Sequence, residues 1–518
     1  MREKILRFWY ALPMSGEAKQ IACSRICALF SPELLQHLSS IAKRQPSGIY
    51  IAGGTVRDLI LGRTPADVDL TVACHARAWA GELARLTGGA FVELGREEDA
   101  ARVVWRDEVI DFSSFRAGAV SIDQELTKRD LTVNALGLEI DPLVAGSGCD
   151  EDTEFAVIDP VGGLDDLAAG LIRVCSKQAL PDDPLRMLRV FRFAATLAFD
   201  IDPDALTEVR LHRERIAKVA AERIAHELDL IMATERAYPA FVQMAATGLL
   251  FELLPELRAG IGMEQPASHH LDVFDHLLET LHQMERIQNN PGRYFAGNGA
   301  IMASWIRQDN HCRQLKWAAL FHDVGKPTTF GINEDKGGRI TFYNHDLQGA
   351  DIFMRIAGRL RWSRADTQAV AALVAAHMRP FFLANNQRQG ILSLKACLRL
   401  VRKVGEDLPG LFMLAMADAL AGKGEGSPEE IEQEVAGLFE RLLQVHEEHV
   451  KPVRAAPPLL TGRDLIRDLG LEPGPLFRTI LDGVEEARME HRISTRKQAL
   501  ELAARYAEVK FKTPNSEL

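Results

Sequence analysis

The chain has 518 residues, 47% of them hydrophobic and only 7% aromatic, with a formal net charge of −11. That length calls for several cores rather than one, and the composition fits a globular protein that favours helix over strand. No run approaches the ~18 apolar residues of a membrane span, and Met1–Pro13 lacks the apolar stretch of a signal peptide. The seven cysteines (Cys23, Cys27, Cys74, Cys149, Cys175, Cys312, Cys397) are scattered without a CxxC pair, which predicts free, mostly buried thiols and a cytoplasmic setting. The negative total argues against a generally basic nucleic-acid binder. Basic stretches at Arg210–Lys218, Arg355–Arg364, Arg388–Lys403 and Arg488–Lys497 still leave room for a local basic face, although each also reads as a solvated helix surface.

In chain order, residues 1–46 read as helical and amphipathic. Gly48–Ala52 is a short apolar strand ending in Gly53-Gly54. Val68–Val72 alternates with carboxylates, and Ala101–Trp105 and Val109–Phe112 read as strands joined by the turn Arg106-Asp107-Glu108. Leu131–Ile140 and Phe155–Ile158 are further strand candidates, so residues 47–175 form a mixed α/β module. After Pro181 the strands stop, and Leu185–Leu197 and Ala221–Ala233 have helical periodicity. Breaks at 289–292, 331–338, 422–428 and 452–458 divide the remainder into a helical neck (176–260), a second helical domain (261–425) and a helical C-terminal region (426–518). The fold class is α+β: a mixed-sheet head followed by helices.

Gly53-Gly54-Thr55-Val56-Arg57-Asp58 follows a strand and opens a helix. Glycines there let backbone N–H groups approach a phosphate, although the same pattern serves a plain tight turn. Asp67 and Asp69, two apart on a strand, leave the same face. Their mutual repulsion is relieved by a divalent metal, and a third carboxylate, Asp111, ends the next hairpin. Three aspartates beside a phosphate loop suit two-metal phosphoryl transfer.

These segments, with Lys128-Arg129-Asp130-Leu131-Thr132-Val133-Asn134-Ala135, Asp159-Pro160-Val161-Gly162-Gly163 and Asp182-Asp183-Pro184-Leu185-Arg186, occur in the order found in class II tRNA nucleotidyltransferases and bacterial poly(A) polymerases, which residues 48–235 resemble. The resemblance implies a five-stranded nucleotidyltransferase palm with Mg2+ on Asp67 and Asp69, and Asp111 as the third catalytic carboxylate. It implies a nucleotide held by Gly53, Gly54, Arg57, Asp58, Arg129, Asp130, Asn134 and Arg189, and a base read by Asp183 and Arg186. An acceptor and a donor three apart on one helix face suit a cytosine or adenine edge, while Asp183 could equally be a helix N-cap ahead of Pro184. Lys128 stands where the family usually has Arg, and Asp182 where it usually has Glu. The implied partners are the tRNA 3′ end, CTP and ATP, with no membrane.

Further on, His322-Asp323 ends an apolar helix before Gly325 and Pro327, and His276, His345, His377 and Asp418 recur on helical patterns. Several buried histidines and carboxylates point to a shared metal. This part resembles the HD phosphohydrolase superfamily. The resemblance implies His276, His322, Asp323 and Asp418 as core ligands, and His345 and His377 for a second metal or the scissile phosphate. Lys326 would contact phosphate, and Mn2+, Ni2+, Co2+ or Mg2+ would serve a phosphohydrolase activity. A domain that keeps the fold but only binds RNA is the other reading. Leu459–Leu465 resembles a motif of the family's tail, where Thr461 and Asp464 would cap a helix.

Within the first family, a poly(A) polymerase is the alternative, disfavoured by the acidic stretch Gly95–Ala100 and the non-basic end Asn515–Leu518. A phosphohydrolase with an RNA-binding head is the alternative of another class. Members that complete CCA have a flexible loop before the basic-Asp motif. Here only the eleven residues 117–127 intervene, with Gly118 the one glycine. A shorter connection has less reach, which predicts CC addition without the terminal A, full CCA addition being the other outcome.

Overall fold

A computed structural model describes residues 20–45, 47–95, 99–116, 118–145, 153–308, 310–426 and 428–511. The expectations for Met1–Pro13, Cys149 and Asn515–Leu518 lie outside these residues, as do those for Ala117 and part of the acidic stretch 95–100. The chain divides into two compact units, Met1–Leu253 and Leu254–Leu518.

The first unit is built on a mixed sheet of strands β1 (Gln20–Ala22), β2 (Ile49–Ala52), β3 (Val68–Val72), β4 (Ala90–Glu93), β5 (Ala100–Trp105), β6 (Glu108–Ser114), β7 (Gly137–Glu139) and β8 (Glu154–Ile158). Their order is β1-β8-β7-β2-β3-β6-β5-β4. The β3–β6 pair is parallel and the others are antiparallel. Ile49, Ile51, Leu70, Val72, Ala101, Val103, Ile110 and Phe112 are buried from this sheet, as period-2 alternation demands. The sheet is wider than the five strands the resemblance implies. Two of the differences are short strands: β1 lies in the stretch read as helical, and β4 is exposed along its length. The expected strand Leu131–Ile140 is a 3-10 turn at Thr132–Asn134 followed by β7. Asp130 and Asn134 sit around that turn and face other side chains rather than a strand partner.

Helix α1 (Gly54–Ile60) follows β2, and α2 (Ile122–Thr127) fills the second half of the short connection before Lys128. Leu126 of α2 is buried and packs with Ala52 and Ala135. Helix α3 (Arg186–Leu197) lies between the strands of a parallel pair, β9 (Leu171–Ile172) and β10 (Asp200–Ile201), and α4 (Ala221–Met232) follows. Strands therefore do not stop at Pro181.

The second unit is helical. The helices that matter here are α5 (Val273–Asn289), α6 (His311–Phe321), α7 (His345–Arg359), α8 (Arg364–Ala376) and α9 (Leu408–Ala421). Helix α9 is buried almost all round, as its near-continuous apolar sequence requires. The glycine-rich break at 331–338 spans most of β11 (Phe330–Asn333) and the turn that joins it to β12 (Arg339–Phe342) in a hairpin. Glycine density hid two four-residue strands. Thr461 stands at the N-cap of the helix Gly462–Leu469, and Asp464 accepts from its backbone N–H at 2.7 Å. Among the described residues, no helix is long and apolar enough to cross a membrane. Cys27, Cys74, Cys175, Cys312 and Cys397 are free, but Cys23 is disulfide-bonded, against the expectation of free thiols throughout. Scattered spacing carries no information on pairing in space.

Candidate functional site

In the first unit, β2 ends at Ala52 and the chain turns through Gly53 at φ +78°. Glycine holds that conformation without strain, and a Cβ there would run into the Arg129 guanidinium. Thr55 ties this turn to β3. Its Oγ1 accepts from the Asp69 N–H at 2.9 Å and donates to the Asp67 carbonyl at 3.3 Å. The loop and the aspartate pair are thus held as one piece.

Asp69 lies opposite Asp111 across β3 and β6, and Asp111 lies opposite Arg102 across β6 and β5. Burial, with the carboxylates of Asp67 and Asp111, raises Asp69 to about 6, while Arg129 and Arg57 oppose the shift. Such a site calls for more positive charge than it holds, and oxygen donors from Asp67 and Asp69 suit a hard divalent cation. Asp111 differs from expectation. Both its oxygens are taken by the Arg102 fork, Nε to Oδ1 at 2.7 Å and Nη2 to Oδ2 at 2.8 Å.

Most of the remaining expected residues form one polar chain. Arg57 donates to Asp58 (2.9 Å) and to Asn134 Oδ1 (2.6 Å). Asn134 Nδ2 donates to Asp130 Oδ1 at 3.5 Å, and Arg189 Nε donates to Asp130 Oδ2 at 2.6 Å. Arg129 donates to Thr71 Oγ1 at 3.2 Å behind the loop. Burial disfavours the charged Asp130, yet the Arg189 guanidinium wins and holds its carboxyl at about 2. Phe193 underlies the cluster, with Arg57, Arg189 and Arg192 around its ring at 5.2, 5.3 and 4.0 Å.

Asp183 and Arg186 do not share a helix face. Helix α3 begins at Arg186, so Asp183 lies before it in extended backbone. The proline at 184 fixes the approach without starting the helix. The Asp183 carboxylate accepts from the Leu185 N–H (3.1 Å), capping the turn that leads into α3, and pairs with Arg223 of α4 at 3.0 Å. Arg186 donates to the Ala179 carbonyl at 3.2 Å.

In the second unit, α5 supplies His276, the end of α6 supplies His322 and Asp323, α7 begins with His345, α8 ends before His377, and α9 carries Asp418. All six are buried. Two groups form: His276, His322 and Asp418, and Asp323, His345 and His377. Asp323 joins them, with Oδ2 3.2 Å from His322 Nε2 and Oδ1 3.2 Å from His345 Nε2. His322, His345 and His377 direct Nδ1 to the carbonyls of Ala319, Phe342 and Val374 at 2.9, 2.7 and 2.7 Å. Donation there leaves Nε2 as an acceptor. Yet the Nε2 atoms of His276 and His322 face each other at 3.2 Å, as do those of His345 and His377. At His345 and His377, where both Nδ1 atoms are engaged, the facing lone pairs are relieved by a proton or a metal cation between them, and mixed N/O donors suit a transition metal or Zn2+. Against burial, Asp323 and Asp418 raise His322 to about 10, whereas burial lowers His276.

The groups open on a cavity of about 680 Å3 lined by Lys326, Arg339, Phe342 and Arg379 among others. Lys326 Nζ lies 2.5 Å from Asp323 Oδ2 and 2.6 Å from Gln265 Oε1. Sequence reasoning missed Thr55, Arg102, Arg223 and His269, whose ring packs edge-on against His276 at 4.6 Å. The doublet His269-His270 just ahead of α5 was a signal for the last.

Three family models match the chain: the poly A polymerase head domain over residues 49–173, the probable RNA and SrmB-binding site of polymerase A over 198–261, and the HD domain over 273–422. The chain is similar to the A-adding tRNA nucleotidyltransferase of Deinococcus radiodurans, 34% identical over 476 residues, 91% of this chain and 98% of that one. It is 29% identical to the CC-adding tRNA nucleotidyltransferase of Thermus thermophilus over 459 residues, 88% and 92% of the two chains. Among solved structures, it resembles a CCA-adding enzyme in complex with CTP (TM-score 0.62, 17% identity, 95% and 99% of the two chains) and the Thermotoga maritima CCA-adding enzyme complexed with tRNA (0.59, 18%, 94% and 99%). At these identities the structures attest the fold.

Proposed function

This chain belongs to the family of tRNA nucleotidyltransferases, with its poly(A)-polymerase-type head and HD domain, and from that premise we propose how its residues divide the work of extending a tRNA 3′ end from a nucleoside triphosphate. The observation that carries the reading is the convergence of Asp67 and Asp69 on the Gly53-Gly54 loop, clamped to it by Thr55. Divalent ions held by Asp67 and Asp69, Mg2+ in our reading, would supply charge neutralisation at the triphosphate and activation of the terminal hydroxyl. The loop N–H groups, Arg57 and Arg129 hold the phosphates. Asn134, Asp130 and Arg189 position the sugar and the rim of the pocket, and Asp58 orients Arg57. Asp183 and Arg186 present an acceptor and a donor to the base, once Arg223 yields its hold on Asp183.

The nucleotide has two readings. Terminal A addition is favoured by the Deinococcus radiodurans A-adding relative, which is 34% identical over nearly its whole length. CC addition rests on the short segment 117–127 and the Thermus thermophilus CC-adding relative. We favour A addition, because half of that segment is the packed helix α2, so its length does not measure a loop's reach. Poly(A) synthesis is the weaker reading, since the full-length relatives above act on tRNA by name. The test offers tRNAs ending at the discriminator base, C, or CC, each with a single labelled triphosphate. One A added to the CC-ending tRNA, and no CMP added to the shorter ones, is expected. CMP addition to the shorter tRNAs with an inert CC end would establish the CC reading instead, both activities would mean a complete CCA enzyme, and long A tracts a polymerase.

In the HD domain, His276, His322, Asp418, Asp323, His345 and His377 would hold one or two ions (Mn2+, Ni2+, Co2+ or Mg2+) whose chemistry is activation of water for phosphoester hydrolysis. Lys326 and Arg379 would bind the phosphate in the adjoining cavity.

A further inference from the structure

Arg102 has no part in the roles assigned so far, yet it occupies the middle of the carboxylate site. Register places Asp69, Asp111 and Arg102 in one row across β3, β6 and β5. The pleat therefore sends all three side chains to the same face. Asp67, two residues before Asp69, joins that face, and Arg102 Nη2 lies 3.2 Å from its Oδ2. Among the described residues, the other side-chain hydrogen bonds of Arg102 are the two that occupy both oxygens of Asp111. A bidentate guanidinium–carboxylate pair is among the stronger polar contacts a protein makes.

The positive charge near the row is therefore divided. Arg129 and Arg57 act on Asp69, whereas Asp111 and one oxygen of Asp67 are served by Arg102. A divalent ion that uses Asp67 must share it with this guanidinium or displace it. Asp111 becomes a ligand only if the fork opens.

Resting on the proposed metal role of Asp67 and Asp69, we infer that Arg102 is a positioning residue that stands in for a cation along the Asp67–Asp111 edge and sets the metal affinity of the head. It holds the carboxylates apart from one another and in register before an ion arrives. It also lowers the affinity of the edge for that ion, so that occupancy depends on the extra ligands a bound triphosphate brings. The triphosphate offers Arg102 another anion, which releases the edge. Metal and nucleotide then bind together rather than in sequence.

The test reads metal occupancy and not turnover. Fe2+ with ascorbate and peroxide cleaves a polypeptide next to bound iron. In the full-length protein, cuts near residues 67–69 report the head, and cuts near 276–323 report the HD site separately. Rising Mg2+ protects the head cuts, and the half-protecting concentration gives its affinity. In Arg102→Gln that concentration should fall about tenfold, the scale on which a neighbouring charge moves a carboxylate's affinity for a cation. The sharpening of wild-type protection by added ATP should shrink. Arg102→Lys, charged but without the fork, should fall between. Unchanged circular dichroism and a Tm close to wild type show that the variant chain is folded. Half-protection unchanged within about twofold in both variants, or weakened, would overturn the role of Arg102 while leaving the metal reading intact. A wild-type chain with no head cuts at all would overturn the metal reading and this inference with it.

Discussion

Asp130 shows how a single buried charge is kept. Burial disfavours its ionisation, but Arg189, together with the Leu131 N–H, holds its carboxyl at about 2, against 3.8 for a free aspartate. A depressed carboxylate stabilises the fold at every pH above the unfolded value and loses that contribution as pH falls through the folded one. The pair should therefore contribute about 2 kcal/mol above pH ~4, gone by pH ~2. Denaturant unfolding of wild type and Asp130→Asn across that range should show the two curves converge on acidification; a constant gap would mean another group carries it. At the carboxylate site, Asp67→Ala or Asp69→Ala should slow nucleotide addition by at least about a hundredfold, as removal of a transition-state charge stabiliser does. Binding of tRNA, which rests on phosphate contacts elsewhere, should change only a few-fold in a filter assay, and near-normal turnover in either variant would remove the two-metal assignment.

Elements differ in how well their sequences announce them. Strands β2, β3, β5 and β6 were legible because each buries one face and alternates, and the loop between β2 and α1 was legible from its glycines. The six His and Asp residues that cluster in the second unit were legible from their setting, on otherwise apolar helices. What escaped is what only pairing creates. Arg102 lies nine residues from Asp111, and nothing in that spacing says that the two strands place them side by side. Arg223 meets Asp183 across forty residues. The hairpin β11–β12 was lost because its glycines read as a break. At this scale, Gly325 shows why α7 sits where it does. A Cβ there would run into the His345 carbonyl and the Gly349 N–H, so only glycine lets the turn after Asp323 touch the first turn of α7. Gly325→Ala should cost about 3 kcal/mol and shift His345 from its partners, seen as a lower Tm and loss of Mn2+ binding. A variant that keeps both would show that the turn can give.

The two proposed chemistries fall in two units, Met1–Leu253 and Leu254–Leu518, and every side chain proposed for each lies within one of them. His322→Ala or Asp323→Ala should accordingly abolish metal-dependent hydrolysis of a model phosphodiester while tRNA extension persists. Wild-type protein that hydrolyses nothing with Mn2+, Mg2+, Ni2+ or Co2+ would leave the HD domain a binding module. The sheet of the first unit has a border of its own to protect. Strand β1 pairs with β8 at Glu154, Phe155 and Ala156, whereas β7 reaches only Val157 and Ile158. The first three residues of β8 thus depend on the chain's beginning for their ladder. A protein trimmed to start after Ala22 would bare an apolar, β-prone edge that a second copy can complete. Shortening this chain from the front should therefore show itself first as self-association, visible in light scattering, with the distant carboxylates of the head still in place.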